Sequence, residues 1–344
     1  MIDGIQPLQL LWFLLIALLF IIFFFTEGFD YGVGMATRLI ARNDRERRLM
    51  VRTIGPIWDA NEVWLITAGG AMFASFSAWY ASLFSGYYIL LFLTLFSLII
   101  RGVSFEFSSH AESRKGFNFW NWALFFGSLL APFFLCMMFG SLIQGVPMDA
   151  QGNMSLGFWN IVNWLSIVTA VAGVLLCLIH GLNFLRLRID DPELSRHAQS
   201  LNNKLYIIAY IGEVVFALLV IFQTDFFEKR PISSICITIA IVVFTILSQI
   251  FNHSDHQAWA FIFSGLTLAG VVTLLFNGLF PNVLIAQNPA HTISIAKAAN
   301  GALTLQVMTI VACILLPIAL AYIIWTYYIF RHRVKLDDIS DSFM

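Results

Sequence analysis

The sequence predicts an all-α membrane protein with nine transmembrane helices, and three observations carry that prediction. Of 344 residues, 59% are hydrophobic and 11% charged, against roughly 25% charged in a soluble globular domain. The mean hydropathy is +0.82. Nine apolar segments are long enough to span a bilayer, each needing about 20 residues. The basic residues collect on one side of those segments, as membrane topology requires. No stretch has the composition of a soluble domain, so residues 1–344 are expected to form a single polytopic membrane domain.

The segments lie near 8–37, 53–76, 79–100, 119–145, 159–185, 204–223, 232–250, 257–280 and 304–330. The first begins after Met1-Ile2-Asp3-Gly4, which lacks a positive n-region, and is longer than a signal-peptide core. It is therefore expected to remain as a helix. Gly28, Gly32 and Gly34 within it permit tilt, a kink or close helix contact. Pro56 falls in the first turn of the second segment, where a missing N–H does little harm. Pro132 and Pro317 lie inside later segments and predict kinks.

With the N-terminus outside, the inner loops and tail hold Arg38, Arg42, Arg45, Arg47, Arg48, Arg52, Arg101, Arg114 and Lys115. They also hold Arg186, Arg188, Arg196, Lys204, Arg331, Arg333 and Lys335. Only Lys229, Arg230 and Lys297 of the 19 basic residues are left outside. The N-terminus is thus expected outside and the C-terminus in the cytoplasm. On the same ground the basic run at 38–52 is a topology signal, not a nucleic-acid patch. Cys136, Cys177, Cys236 and Cys313 stand singly in apolar runs and are expected to be small buried side chains. The sequence contains no P-loop, GxGxxG, nucleophile elbow or HExxH.

Two segments break the apolar rule. FFFTEGFDYGVG, residues 23–34, places Glu27 and Asp30 at i and i+3, and GPIWDANEVWLITAGG, residues 55–70, does the same with Asp59 and Glu62. Residues at that spacing leave a helix on one face. A carboxylate at mid-bilayer costs about 2.5–3.5 kcal/mol on insertion scales, so four of them need a function. Counted at 1.5 Å per residue from Arg52 and Arg38, Asp59 and Asp30 lie about 10–12 Å deep and the two glutamates about 15–16 Å. Acids at matched depth can share a proton, hold water or meet a cation, and Arg101, at the inner end of the third segment, is the nearest basic residue. A proton or ion relay and structural hydrogen-bonding glue are both compatible with the pattern. Glu213, about 14 Å past Lys204, is a lone acid to which a local role is assigned.

Of the histidines, only His180 lies within a spanning segment; His110, His197, His253, His256, His291 and His332 fall at loops or helix ends. A six-coordinate haem needs two opposed rings. This chain alone is therefore not expected to ligate one.

The motifs that carry a family likeness run in order along the chain. They are TEGFDYGVGM (26–35), ARNDRERRLM (41–50), PIWDANEVWLITAGGAMFA (56–74), FSGYY (84–88), GSLIQGVP (140–147), AWAFIFSGLTLAG (258–270) and LTLQVMTIVACILLPIALAY (303–322). Read whole, the chain resembles subunit II of the cytochrome bd-type quinol oxidases, with residues 185–255 matching less clearly. The resemblance implies two four-helix bundles plus one peripheral helix. It implies a larger subunit I that ligates two haems b and haem d and binds quinol, with no haem ligand here. It places the complex in the bacterial cell membrane, where the oxidase is an electrogenic enzyme that reduces oxygen to water with protons taken from the cytoplasm. By the same resemblance Asp59 matches the acid of a W-D-G/A-N motif assigned to the proton route, and Asp30 matches the second acid of the first-helix motif. Trp58 and Arg101 match positions tied to stable haem incorporation. Two departures stand out: familiar members carry Asp where this chain has Glu27, and often Gln where it has Glu62. The resemblance leaves open which quinol is used, whether a structural lipid quinone binds this subunit, and whether a small single-helix subunit joins.

Two other classes share the pattern. Midplane acids also mark a stand-alone proton-coupled secondary transporter, against which stand the missing inverted repeats and broken-helix Gly/Pro pairs. A structural assembly factor would use the carboxylates as glue.

Overall fold

The computed structural model describes residues 4–339, which are mostly helical. α1 (Pro7–Leu39) is 33 residues long, about 50 Å, so it outreaches a 30 Å hydrocarbon core. A charged helix, α2 (Asp44–Ile54), follows, and Asn43 caps it by accepting from the Glu46 amide at 2.8 Å. Then come α3 (Trp58–Ser75), α4 (Ser77–Gly86), α5 (Tyr88–Ser109) and α6 (Arg114–Leu142). A short α7 (Phe158–Ile161) precedes α8 (Trp164–Arg188) and α9 (Pro192–Gln223). α10 (Phe226–Lys229) leads into α11 (Pro231–His253) and α12 (Gln257–Leu279). A two-stranded antiparallel ribbon, β1 (Asn282–Leu284) with β2 (Ile293–Ser294), and α13 (Ile295–Ala298) connect to α14 (Ala302–Ile329).

Eight of these helices are long and apolar enough to cross a membrane. The acidic segment expected at 53–76 is not among them, because Asp59, Asn61 and Glu62 lower the hydropathy of its 18 residues. The structure also divides that segment. Arg52 belongs to α2, the chain turns at Gly55–Ile57, and a new helix starts at Trp58. Pro56 cannot donate the amide that would continue α2. Asp59 therefore sits in the first turn of α3, and its depth cannot be counted as helical rise from Arg52. The segment expected at 79–100 is likewise two helices, separated at Tyr87, and the second runs to Ser109. Arg101 is consequently inside α5, not at a helix end.

α1 lies at the centre of the packing, touching α3, α6, α8 and α12, while α8 also packs on α6, α9 and α12. Gly32 and Gly181 set the spacing of α1 and α8, since a Cβ on either would collide with the other helix's backbone. α5 packs on α6, α11 on α12 and α9, and α14 touches α3 and α1. Pro132 and Pro317 are carried within uninterrupted α6 and α14. At the end of the molecule away from α2, the 143–157 and 280–301 loops join: Val146 N donates to Ile285 O (3.0 Å) and His291 Nδ1 lies 2.7 Å from Met148 O. Cys136 and Cys177 are buried as expected, but Cys236 and Cys313 are exposed on apolar outer faces, where bilayer and not core would surround them.

Candidate functional site

The second half of α1 turns Glu27, Asp30 and Tyr31 to one side, at i, i+3 and i+4, and each is fully buried. α5 brings Arg101 to them from the opposite side. Its guanidinium is also fully buried and is ion-paired through Nη1 with Glu27 Oε1. The same Nη1 lies 3.8 Å from Glu62 Oε2, which α3 contributes. Aromatic rings surround this cation: Tyr31 at 5.0 Å, Phe105 at 5.3 Å and Trp58 at 6.0 Å, with Trp58 stacked on Phe105 at 4.9 Å. Such faces attract a guanidinium and shield it from lipid. α6 approaches this point through Gly127, where a Cβ would come within 2.8 Å of Arg101 Cβ and Ser97 O.

Asp30 lies within hydrogen-bonding reach of Glu27 and is held in addition from α3. Its Oδ2 accepts from Asn61 Nδ2 at 2.6 Å, and Asn61 Oδ1 accepts from Tyr327 OH at 2.6 Å. Glu27 Oε2, Asp30 Oδ1, Tyr31 OH and Arg101 Nε and Nη2 are buried without a protein hydrogen-bond partner.

The structure thus gathers Glu27, Asp30, Glu62, Trp58 and Arg101, and it leaves Asp59 outside the cluster. Asp59 is exposed on the chain, whereas Glu62, three residues on, is half-buried at the Arg101 side. The expected Asp59–Glu62 pair is therefore a step from surface to interior, and the closest partner of Arg101 is Glu27. Three residues escaped the sequence reading. Asn61 had a signal, being an amide between two acids in an apolar helix, and Tyr31 shares the Glu27 face. Tyr327, 266 positions from Asn61, had none.

His180 is buried with both ring nitrogens engaged, Nδ1 at 2.7 Å from Ser264 Oγ and Nε2 at 2.9 Å from Phe25 O, and its ring stacks on Phe261. Those contacts fix α8 to α1 and α12. His253 and His256 are exposed in the α11–α12 turn. Among the described residues no group of three His, Cys, Asp or Glu could hold a metal ion. Glu213 on α9 accepts from Thr245 Oγ1 at 2.5 Å and borders an apolar cavity of about 150 Å³ walled by α6, α8, α9, α11 and α12.

Comparison with known proteins gives one answer. The family described as cytochrome bd terminal oxidase subunit II matches residues 8–330. Cytochrome bd ubiquinol oxidase subunit 2 of Bacillus subtilis (strain 168) is 42% identical over 326 residues, covering 94% of this chain and 96% of that one. Cytochrome bd-I ubiquinol oxidase subunit 2 of Escherichia coli (strain K12) is 34% identical, covering 99% and 98%. Among solved structures, a chain of the bd oxidase from Geobacillus thermodenitrificans superposes with a TM-score of 0.73 over 94% of this chain and 97% of that one. At 14% identity that likeness speaks to the fold alone. The chain belongs to the cytochrome bd terminal oxidase subunit II family.

Proposed function

We propose that this chain is the haem-free subunit of a membrane quinol:oxygen oxidoreductase, and that its acid–arginine cluster carries protons from the cytoplasmic side towards a haem-bearing subunit I. In this reading α3 spans the membrane with the eight apolar helices, giving nine spans in two four-helix bundles with α14 peripheral. The N-terminus is outside, the C-terminus is cytoplasmic, and the chain is one domain of the bacterial cell membrane. The haems belong to subunit I and, when bound there, supply the reduction of oxygen to water. His180 offers them no ligand.

The observation that carries the reading is the graded burial of the acids. Asp59 is exposed, Glu62 half-buried, and Glu27 and Asp30 fully buried. A proton taken from water by the Asp59 carboxylate can pass one turn along α3, about 4.5 Å, to Glu62. Glu62 and Glu27 both face Arg101, so the cation offsets whichever carboxylate carries charge. Glu27 Oε2 and Asp30 Oδ1 accept from no nitrogen or hydroxyl donor of the protein, and the two carboxyls, within hydrogen-bonding reach of each other, can exchange a proton between them or with water inside the cluster.

The test is Asp59→Asn in the purified two-subunit complex, reconstituted in vesicles. Asn keeps shape and polarity but cannot titrate. The variant is expected to retain haem and to consume oxygen about tenfold more slowly or worse, equivalent to roughly 1.4 kcal/mol on the barrier. Proton uptake should fall in step on the arginine-rich face, and Asp59→Glu should recover part of the rate. Parent-rate turnover with full haem would remove Asp59 from the route.

A further inference from the structure

We infer that Tyr327, on the outermost helix of the chain, is a positioning residue for Asp30 and acts through Asn61. The inference rests on the proposed role of Asp30 in proton transfer.

Along α14 only Leu305 is buried, and its middle and inner turns present Ile318, Tyr322, Ile324, Trp325 and Tyr328 outward. Tyr327 departs from that pattern. It is half-buried, and its hydroxyl reaches into α3 to donate to Asn61 Oδ1 at 2.6 Å. Trp12 ties the other end of the same helix to α1, donating to Thr309 Oγ1 at 3.0 Å. A helix needed only as a lipid-facing spacer would require neither bond.

Asn61 is fully buried and two-ended. Its carbonyl end accepts and its NH2 end donates, and the two are nearly equal in shape, so its partners decide which way it points. The Tyr327 hydroxyl claims the carbonyl end. The NH2 end is thereby left to face Asp30 Oδ2, where it donates at 2.6 Å. Without the hydroxyl, the amide is free to turn over and present its carbonyl to Asp30. A carbonyl repels an ionised carboxylate and bonds only to the protonated acid. Tyr327 therefore selects, through Asn61, how Asp30 is held in each protonation state. The other groups bearing on Asp30 are Glu27 of α1, Glu62 of α3 and Arg101 of α5, while Asp30 and Glu27 of α1 and Arg188 of α8 act on Tyr327.

Tyr327→Phe removes one oxygen and keeps the ring. In the purified haem-loaded complex it should leave haem content at the parent value and slow quinol-driven oxygen consumption by roughly three- to tenfold, the scale of one lost hydrogen bond. Its pH–rate profile should be displaced from the parent profile by about half a unit or more. In an Asp30→Asn background the same change should cost nothing further, because Asn61 then has no carboxylate to orient. Three results would overturn the inference. They are a parent rate in Tyr327→Phe, a slower rate with a superimposable profile, and an equal loss in both backgrounds, which would mean that α14 packing alone was disturbed. A slow Asp30→Asn beside a parent-rate Tyr327→Phe sinks this inference only. A parent-rate Asp30→Asn sinks the role of Asp30 as well.

Discussion

Between α1, α3 and α5 the buried polar cluster is built around ionisable groups, whereas between α8, α9, α11 and α12 one buried cluster is built of amides and hydroxyls. In the second region Asn183 Nδ2 donates to Tyr206 OH at 3.0 Å and Asn202 Nδ2 to Asn183 Oδ1 at 2.8 Å. Ser248 Oγ donates to Ala260 O at 2.8 Å and so accepts from Tyr206 OH at 2.6 Å. That network draws four helices together and leaves one of its atoms, Asn202 Oδ1, without a protein partner. In the first region five polar atoms of Glu27, Asp30, Tyr31 and Arg101 lack a protein partner. Each such atom costs about 1–3 kcal/mol if nothing else satisfies it. Two polar clusters in one apolar chain thus differ less in burial than in completeness. A neutral network with one open atom is enough for helix association; a charged cluster with five is kept where water or a proton uses the open positions.

The largest effect that would break this contrast is expected at Arg101. Arg101→Leu leaves Glu27 buried beside no cation, and removing one partner of a buried pair costs about 3–5 kcal/mol. Much of a domain's stability is of that order. Haem d absorbance per milligram of membrane protein should therefore fall about tenfold or more as the complex fails to accumulate. Arg101→Lys should restore part of it, since the charge returns but the flat group over Tyr31 and Phe105 does not. Full assembly of Arg101→Leu would show that the first region is no more dependent on its charges than the second.

A smaller effect, of another kind, is expected in the neutral network. Asn183→Leu is close in volume and strands Tyr206, Ser248 and Asn202 without a common partner. At about 1–3 kcal/mol this should lower the melting temperature of the complex by roughly 2–10 °C. Turnover per haem d should stay at the parent value. The pattern is the inverse of Asp59→Asn, which should slow turnover and leave melting unchanged. A turnover defect in Asn183→Leu with full haem would make the second region functional too.

Much of the first region was legible because a helix reports its own faces. The i, i+3 spacing announced that Glu27 and Asp30 act together, and an isolated Arg101 among apolar residues announced a partner. What periodicity does not give is the rotation of one helix about another, so it could not say that Arg101 would take Glu27 ahead of the α3 acids. Nor could it find Tyr327, whose partner lies in a helix 266 positions away and whose neighbours Tyr322 and Tyr328 point outward. The break at Gly55–Ile57 was missed for a local reason: Pro56 is equally acceptable in a first turn and in a turn between helices. The second region left a weaker trace, since Asn, Ser and Thr scattered at helical spacing read equally as surface and as glue.

Glu213 sharpens the comparison most finely, because it is an acid placed in the neutral region. Its Oε1 accepts from Thr245 Oγ1, which lies 3.2 Å from Thr267 Oγ1, so one carboxyl oxygen is tied to hydroxyls while Oε2 has no protein partner. No salt bridge of Glu213 is present among the described residues, in contrast to Glu27 on Arg101. Glu213→Gln keeps the oxygen that Thr245 needs and leaves no cation unpaired. It should accordingly change oxygen consumption per haem d by less than about twofold and shift stability by no more than about 0.5 kcal/mol, the range of substitutions that break no buried pair. If an acid contributed to turnover merely by being an acid inside the membrane, Glu213→Gln would be as slow as Asp59→Asn. A tenfold loss of oxygen consumption in this variant would show that, and would extend the proton route into the second region through Thr245 and Thr267. A parent rate ties the function to the cluster between α1, α3 and α5, where carboxylates, a cation and open hydrogen-bonding positions meet inside the apolar span.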